Sequence, residues 1–357
     1  LTFPVEPQDE FDADPELALL ADWADTVVRL PIDEESRAFV GEELKDFPLE
    51  FLLFARHIKT ITLRWDGGER KISAKEKDGV ITLSDGQNRT RWRVFEASEE
   101  LSAEAKVDVP TGYDPDRPVP MLWAVPVKGE SNGRVWTFFP TDVEISLSGI
   151  LNAPWKTTED RTSVSSGPYN NELLEVASRL VADSLPILVD DVDQPGDIVD
   201  ILPEEDAFRR HGWLEKTLAE SVYEECSRSE AFCDSNGDRC LAEDLKLSGL
   251  EPHPKTGELW AEAPTVPPGW AHWTFFTESR RARMEELGAW LPFRGNWLES
   301  LVDPQAPFPE SSIHAVKVLA DHELRDTNGR LSRRVPKETL WRHLKVVLTR
   351  SGTFRAP

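Results

Sequence analysis

No apolar run in this sequence approaches the roughly 18 to 20 residues that a bilayer span requires, so no membrane partner is expected. Residues 1–11 contain neither a basic region nor a signal-peptide core. The first residue is Leu1 rather than Met, which makes an internal fragment the expectation. Cysteine is scarce. Cys226, Cys233 and Cys240 are too few and odd in number for a disulfide framework, and they lack the close pairing of a zinc site. Reduced thiols, in a helix and in the hairpin after it, are expected instead. Positive charge is also short: 41 Lys and Arg face 65 Asp and Glu, for a formal net charge of -24. Phosphate neutralisation needs a basic face, so nucleic acid is an unexpected partner. The balance suits a soluble cytoplasmic protein kept apart from its neighbours by self-repulsion.

Familiar catalytic signatures are missing as well. There is no Gly-x-x-x-x-Gly-Lys-Ser/Thr phosphate loop, no Gly-x-Gly-x-x-Gly, no His-Glu-x-x-His and no Gly-x-Ser-x-Gly. The seven histidines stand singly. Asp234-Ser-Asn-Gly-Asp238 begins like a calcium loop. Arg239 stands where such a loop needs Gly and Leu245 where it needs a bidentate Glu, so a tight hairpin turn is expected.

What is present reads as α+β, with an antiparallel or mixed sheet. Residues 25–32 form a short β-type run closed by Pro31, and residues 35–57 carry a broken apolar stripe that predicts a helix. Strands are expected over 58–65, 70–74, 80–84 and 91–96, separated by turns at Asp66-Gly67-Gly68, Asp78-Gly79 and Asp85-Gly86. Residues 120–127 and 134–139 predict a further strand pair joined by Ser131-Asn132-Gly133, and 145–151 another strand. A helix is expected from an Asn cap at 170–171 to Pro186. Residues 187–203 are acidic and marked by Pro and Gly, which predicts a linker with a short edge strand at 187–189. Asp190, Asp191 and Asp193 there are either solvated or a divalent-metal set. Residues 204–357 predict a mainly helical region with short hairpins: helices over 205–228, 277–291, 297–302 and 313–320, and turns at 235–237 and 326–330. Its basic cluster, Arg325, Arg330, Arg333, Arg334, Lys337, Arg342 and Lys345, suits pairing with the acidic body, with nucleic acid or another acidic partner as the alternative.

One stretch points toward chemistry. Gly133-Arg-Val-Trp-Thr-Phe-Phe-Pro140 leads to Leu151-Asn-Ala-Pro-Trp-Lys-Thr-Thr-Glu-Asp-Arg161, and a helix follows. A guanidinium on a loop between strand and helix can reach a phosphate held by a neighbour and contact it bidentately. Together with Phe51-Leu-Leu-Phe-Ala-Arg-His-Ile58 and Thr26-Val-Val-Arg-Leu-Pro31, these runs resemble the sacsin-like branch of the GHKL ATPases, relatives of gyrase and of the ninety-kilodalton heat-shock chaperones. The likeness covers about residues 26 to 186.

That resemblance implies three parts: residues 1–32 as the end of a missing nucleotide-binding domain, 33–186 as a transducer-like (ribosomal S5-like) domain, and 187–203 as a linker to the rest. The family's Glu-x-x-x-Asn and Asp-x-Gly-x-Gly motifs do not occur here. ATP and magnesium are thus expected only through the missing N-terminal domain, and none bound by this chain alone. By the same resemblance Arg161 is the leading γ-phosphate contact, Lys156 the second, and Asn152 shapes the loop. The implied partners are the chain's own ATPase domain, a protein client and a second copy in a homodimer. The alternative is a non-catalytic protein–protein interaction scaffold in which Arg161 is structural.

Overall fold

The computed structural model describes residues 26, 30, 32–128, 133–159, 162–204, 207, 212–247 and 269–291, with the backbone of two short strands near the C-terminus. The chain divides into two compact units, Leu1–Pro48 with Ile61–Lys71, and Leu49–Thr60 with Ile72–Pro357.

In the first unit, helix α1 (Glu34–Lys45) starts on Asp33, whose carboxylate accepts from the Ser36 amide at 2.8 Å. Glu34 and Glu35 in its first turn and Lys45 in its last complement the helix dipole. The helix expected over 35–57 breaks at Asp46-Phe47-Pro48, because a residue before proline is pushed out of the helical region. Arg70 donates to the Lys45 and Phe47 carbonyls at 3.0 and 2.7 Å, satisfying groups that the break exposes. Strand β1 (Thr60–Trp65) turns through Asp66-Gly67 into β2 (Gly68–Lys77), which runs on into the second unit.

In the second unit, α2 (Phe51–Phe54) restarts the interrupted helix. The sheet then runs β2-β3-β4-β5-β8-β6-β7, with β3 Val80–Ser84, β4 Arg89–Glu99, β5 Val119–Pro126, β6 Gly133–Thr137, β7 Phe139–Ile145 and β8 Ile150–Asn152. Every pairing is antiparallel except that of β6 with β8. The Asp78-Gly79 turn has both residues at positive φ, 53° and 72°, the geometry that matches strand twist in a two-residue hairpin. The expected pairing of 120–127 with 134–139 does not form: β8 lies between β5 and β6. Both faces of β5 are buried, Met121, Trp123 and Val125 on one and Leu122 and Ala124 on the other.

Short helix α3 (Ala103–Lys106) precedes β5, and the long helix α4 (Pro168–Leu188) packs its Leu173, Leu174, Ala177, Val181 and Leu185 face into the core. The N-cap of α4 is Gly167, not an Asn. Pro186 does not end the helix and residues 187–189 form no strand; the helix continues to Leu188. Proline has no N–H for the carbonyl four residues back, that of Ala182. Ser229 donates its hydroxyl to that carbonyl at 3.2 Å, so the turn survives.

Residues 187–203 are packed rather than a free linker. Pro195–Ile201 form a 3-10 helix, and Ile198, Val199 and Leu202 are fully buried. Helix α5 (Trp213–Cys226), the hairpin of β9 (Phe232–Cys233) and β10 (Arg239–Cys240), and helix α6 (Glu278–Glu286) follow. The turn between β9 and β10 is the tight one expected: Asp234 accepts from the Asn236 and Asp238 amides at 2.8 and 3.0 Å. One buried apolar cluster takes in residues from Leu101 to Ala289. Strands β11 (Val347–Leu348) and β12 (Phe354–Arg355) pair with each other. The helices expected at 297–302 and 313–320, the turn at 326–330 and the C-terminal basic cluster lie outside the described residues.

The expected α+β character, with a large and mostly antiparallel sheet, is therefore what forms. Among the described residues no helix is long and apolar enough to cross a membrane.

Candidate functional site

The end of β8 and the loop after it bring together two of the three expected site residues. Asn152 closes β8 directly beside Trp136 of β6 in parallel register. Its side chain is fully buried, and its Oδ1 accepts from the Phe138 amide at 2.8 Å. Asn152 thus shapes a loop, but that loop is the β6–β7 turn rather than its own. Phe138 sits in that turn with φ of 67°, a region that a bulky side chain rarely occupies. The Asn152 Nδ2, Trp136 Nε1 and Trp155 Nε1 donors are all buried and have no partner among the described residues.

After Asn152 the chain passes through buried Ala153, Pro154 and Trp155 and forms a small hairpin. Thr157 bridges Val164, and the Thr158 amide donates to the Ser163 carbonyl at 2.9 Å. Both legs are fastened to the first turn of α4. Asn170 accepts from the Lys156 amide at 3.0 Å and donates to the Lys156 and Ser165 carbonyls at 2.7 and 2.6 Å. Tyr169 donates its hydroxyl to the Pro154 carbonyl at 2.9 Å. Burial pushes that phenol well above its ordinary value and keeps it a donor.

Lys156 is committed inside the chain. Its ammonium pairs with the Asp108 carboxylate and donates to the Asp108 carbonyl at 3.1 Å. The hydrogen bond from Lys156 holds the Asp108 carboxyl below its ordinary range, helped by the Tyr169 amide. Arg161, with Asp160 beside it, lies outside the described residues.

Sequence reasoning missed Asn170 and Asp108. Asn170 was visible only as a helix-start residue, and its role as a clamp follows from the cap standing three residues earlier. Asp108 meets Lys156 across 48 positions of chain, a distance that no local pattern spans.

The acidic stretch is likewise spent on cations. Asp190 pairs with Arg239, Asp191 with Arg93, Asp193 with Lys128, and Asp197 and Asp200 with Arg280. Among the described residues, no group of three His, Cys, Asp or Glu side chains is placed to hold a metal ion. Cys226 and Cys233 are buried, Cys240 is partly so, and all three thiols are free. Burial raises all of them, Cys240 to about 11, so they are poor nucleophiles at neutral pH.

No protein-family model matches this chain, and no curated protein or solved structure does either. Its function must be read from the site.

Proposed function

We propose that this chain is a transducer-like coupling module that presents the hairpin of residues 157–164 to a neighbouring protein domain. The observation that carries this reading is the Asn170 clamp. A buried side chain at the head of a long helix fixes both legs of the hairpin, so a push on its tip passes to α4 rather than dissipating in a floppy loop. In the sacsin-like reading the neighbour is the chain's own ATP- and magnesium-binding domain, and Arg161 meets the γ-phosphate. Lys156, paired with Asp108, then stiffens the base of the hairpin instead of touching phosphate. Stabilising charge on a transferring phosphoryl group is what Arg161 would add.

The test is ATP turnover by the longest native form of the protein beside the same form carrying Arg161→Ala. A loss of about tenfold or more with nucleotide binding kept supports a phosphate contact. Unchanged turnover defeats it and leaves the second reading, a non-catalytic interaction scaffold. The commitment of Lys156 to Asp108 favours that alternative, because it removes one of the two candidate phosphate contacts.

A further inference from the structure

The β6–β7 turn is a one-residue reversal that holds an aromatic in a conformation aromatics rarely adopt. Thr137 stands opposite Phe139, which leaves Phe138 the only residue between the two strands. Phe138 has φ of 67°, and the only other described non-glycine at positive φ is Asp78, of a residue type that tolerates it. Strain at an aromatic persists only where its surroundings enforce it. Here they do so through the fully buried Asn152, whose Oδ1 accepts from the Phe138 amide. The product is an exposed aromatic tip: Phe138 and Phe139 are each 51% accessible, and Phe139 is braced by Phe51 with ring centroids 5.4 Å apart.

We infer that this tip is a docking element for a protein partner that offers an apolar pocket with a basic rim. Two rigid aromatics supply contact area at little entropic cost, the property that enriches aromatics in interface hot spots. The rim follows from charge. Asp142, three residues along β7 from Phe139, is exposed, whereas Glu144 beyond it stands opposite Arg134; the chain as a whole carries a net charge of -24, which favours a basic partner and opposes docking against a second copy. Because β6 and β8 are parallel, the tip leaves the same end of the sheet as the chain leading into the 157–164 hairpin. A single neighbour can therefore meet both. This identification of the neighbour rests on the coupling-module reading; the docking role of the tip does not.

The experiment places p-benzoyl-L-phenylalanine at Phe138, Phe139 or, separately, Glu159 in the longest native form, in its own cells. Irradiation is followed by peptide mapping of the attachment point. The expected link from Phe138 falls in an apolar stretch flanked by Lys or Arg, on the same polypeptide that Glu159 reaches. Phe138→Gly removes the aromatic and relieves the strain. It is expected to hold or raise the melting temperature while the link formed from Phe139 falls at least about tenfold. A residue that serves folding alone gives the opposite pair. A drop in melting temperature, a link yield within twofold of the parent, no link from Phe138, or a link to a second copy each overturns the inference. A link from Phe138 without one from Glu159 keeps the docking tip and defeats the coupling reading. The reverse result does the opposite.

Discussion

Arg280 of α6 forks onto Asp200 from eighty residues away, its Nε 3.1 and 3.0 Å from the two carboxylate oxygens, while Nη2 lies 2.7 Å from Asp197. Its remaining nitrogen, Nη1, donates to the Thr274 carbonyl at 2.9 Å. One guanidinium, only 17% exposed at its side chain, therefore pins the acidic stretch 187–203 to the segment 269–291.

Removing Arg280 takes from Asp197 the cation it pairs with and leaves Asp200 only Arg283, 3.7 Å away. Arg280→Ala is expected to cost about 3 kcal/mol in urea unfolding, and Arg280→Lys most of that, since an ammonium cannot reproduce the planar fork. A loss under about 1 kcal/mol for Arg280→Ala would mean that buried Ile198, Val199 and Leu202 hold the stretch unaided.

Asn170→Ala removes three hydrogen bonds and leaves the Lys156 and Ser165 backbone groups facing a small apolar side chain. The expected cost is about 2 to 3 kcal/mol, with faster amide exchange concentrated at residues 156–165. Uniformly faster exchange across the whole sheet would argue against a local clamp.

Two acid windows should separate. The Asp108 carboxyl is depressed by Lys156, so the stability it lends is complete above its ordinary value of 3.8 and is lost as pH falls through the lower folded value. The stability gap between wild type and Asp108→Asn should stay constant from about pH 7 to 5 and close only below about pH 4. His272 is depressed by burial, so its contribution is complete above 6.5 and is lost as pH falls through the folded value. Wild type should lose melting temperature between about pH 7 and 5, and His272→Gln should lose less.

The raised thiols predict slow alkylation. At pH 8 iodoacetamide should label Cys226 and Cys233 only as fast as the chain opens, with Cys240, partly exposed, first of the three. Rapid labelling of Cys226 in the folded protein would place that helix face in solvent.

Local chemistry was legible in the sequence wherever it is closed within a few residues. The Asp78-Gly79 turn, the Asp234 to Asp238 turn, the apolar face of α4 and the alternation of the early strands all depend on neighbours in the chain. Pro48 also broke its helix for a local reason, one that an apolar stripe alone conceals.

The remainder depended on partners far apart in sequence. Whether Pro186 ends a helix was settled by Ser229, 47 positions beyond the carbonyl it serves. Whether an acidic run is a linker was settled by Arg93, Lys128, Arg239 and Arg280, which turn a repelling segment into a neutralised and packed one. The insertion of β8 between β5 and β6 is likewise a long-range pairing that the sequence order does not announce. By itself the sequence determined an acidic α+β chain with a polar loop between a buried strand and a long helix. Only the tertiary structure decided that Lys156 faces Asp108 and that Asn152 holds Phe138, because a buried hydrogen bond or ion pair is specified by where the chain returns, not by the residues beside it.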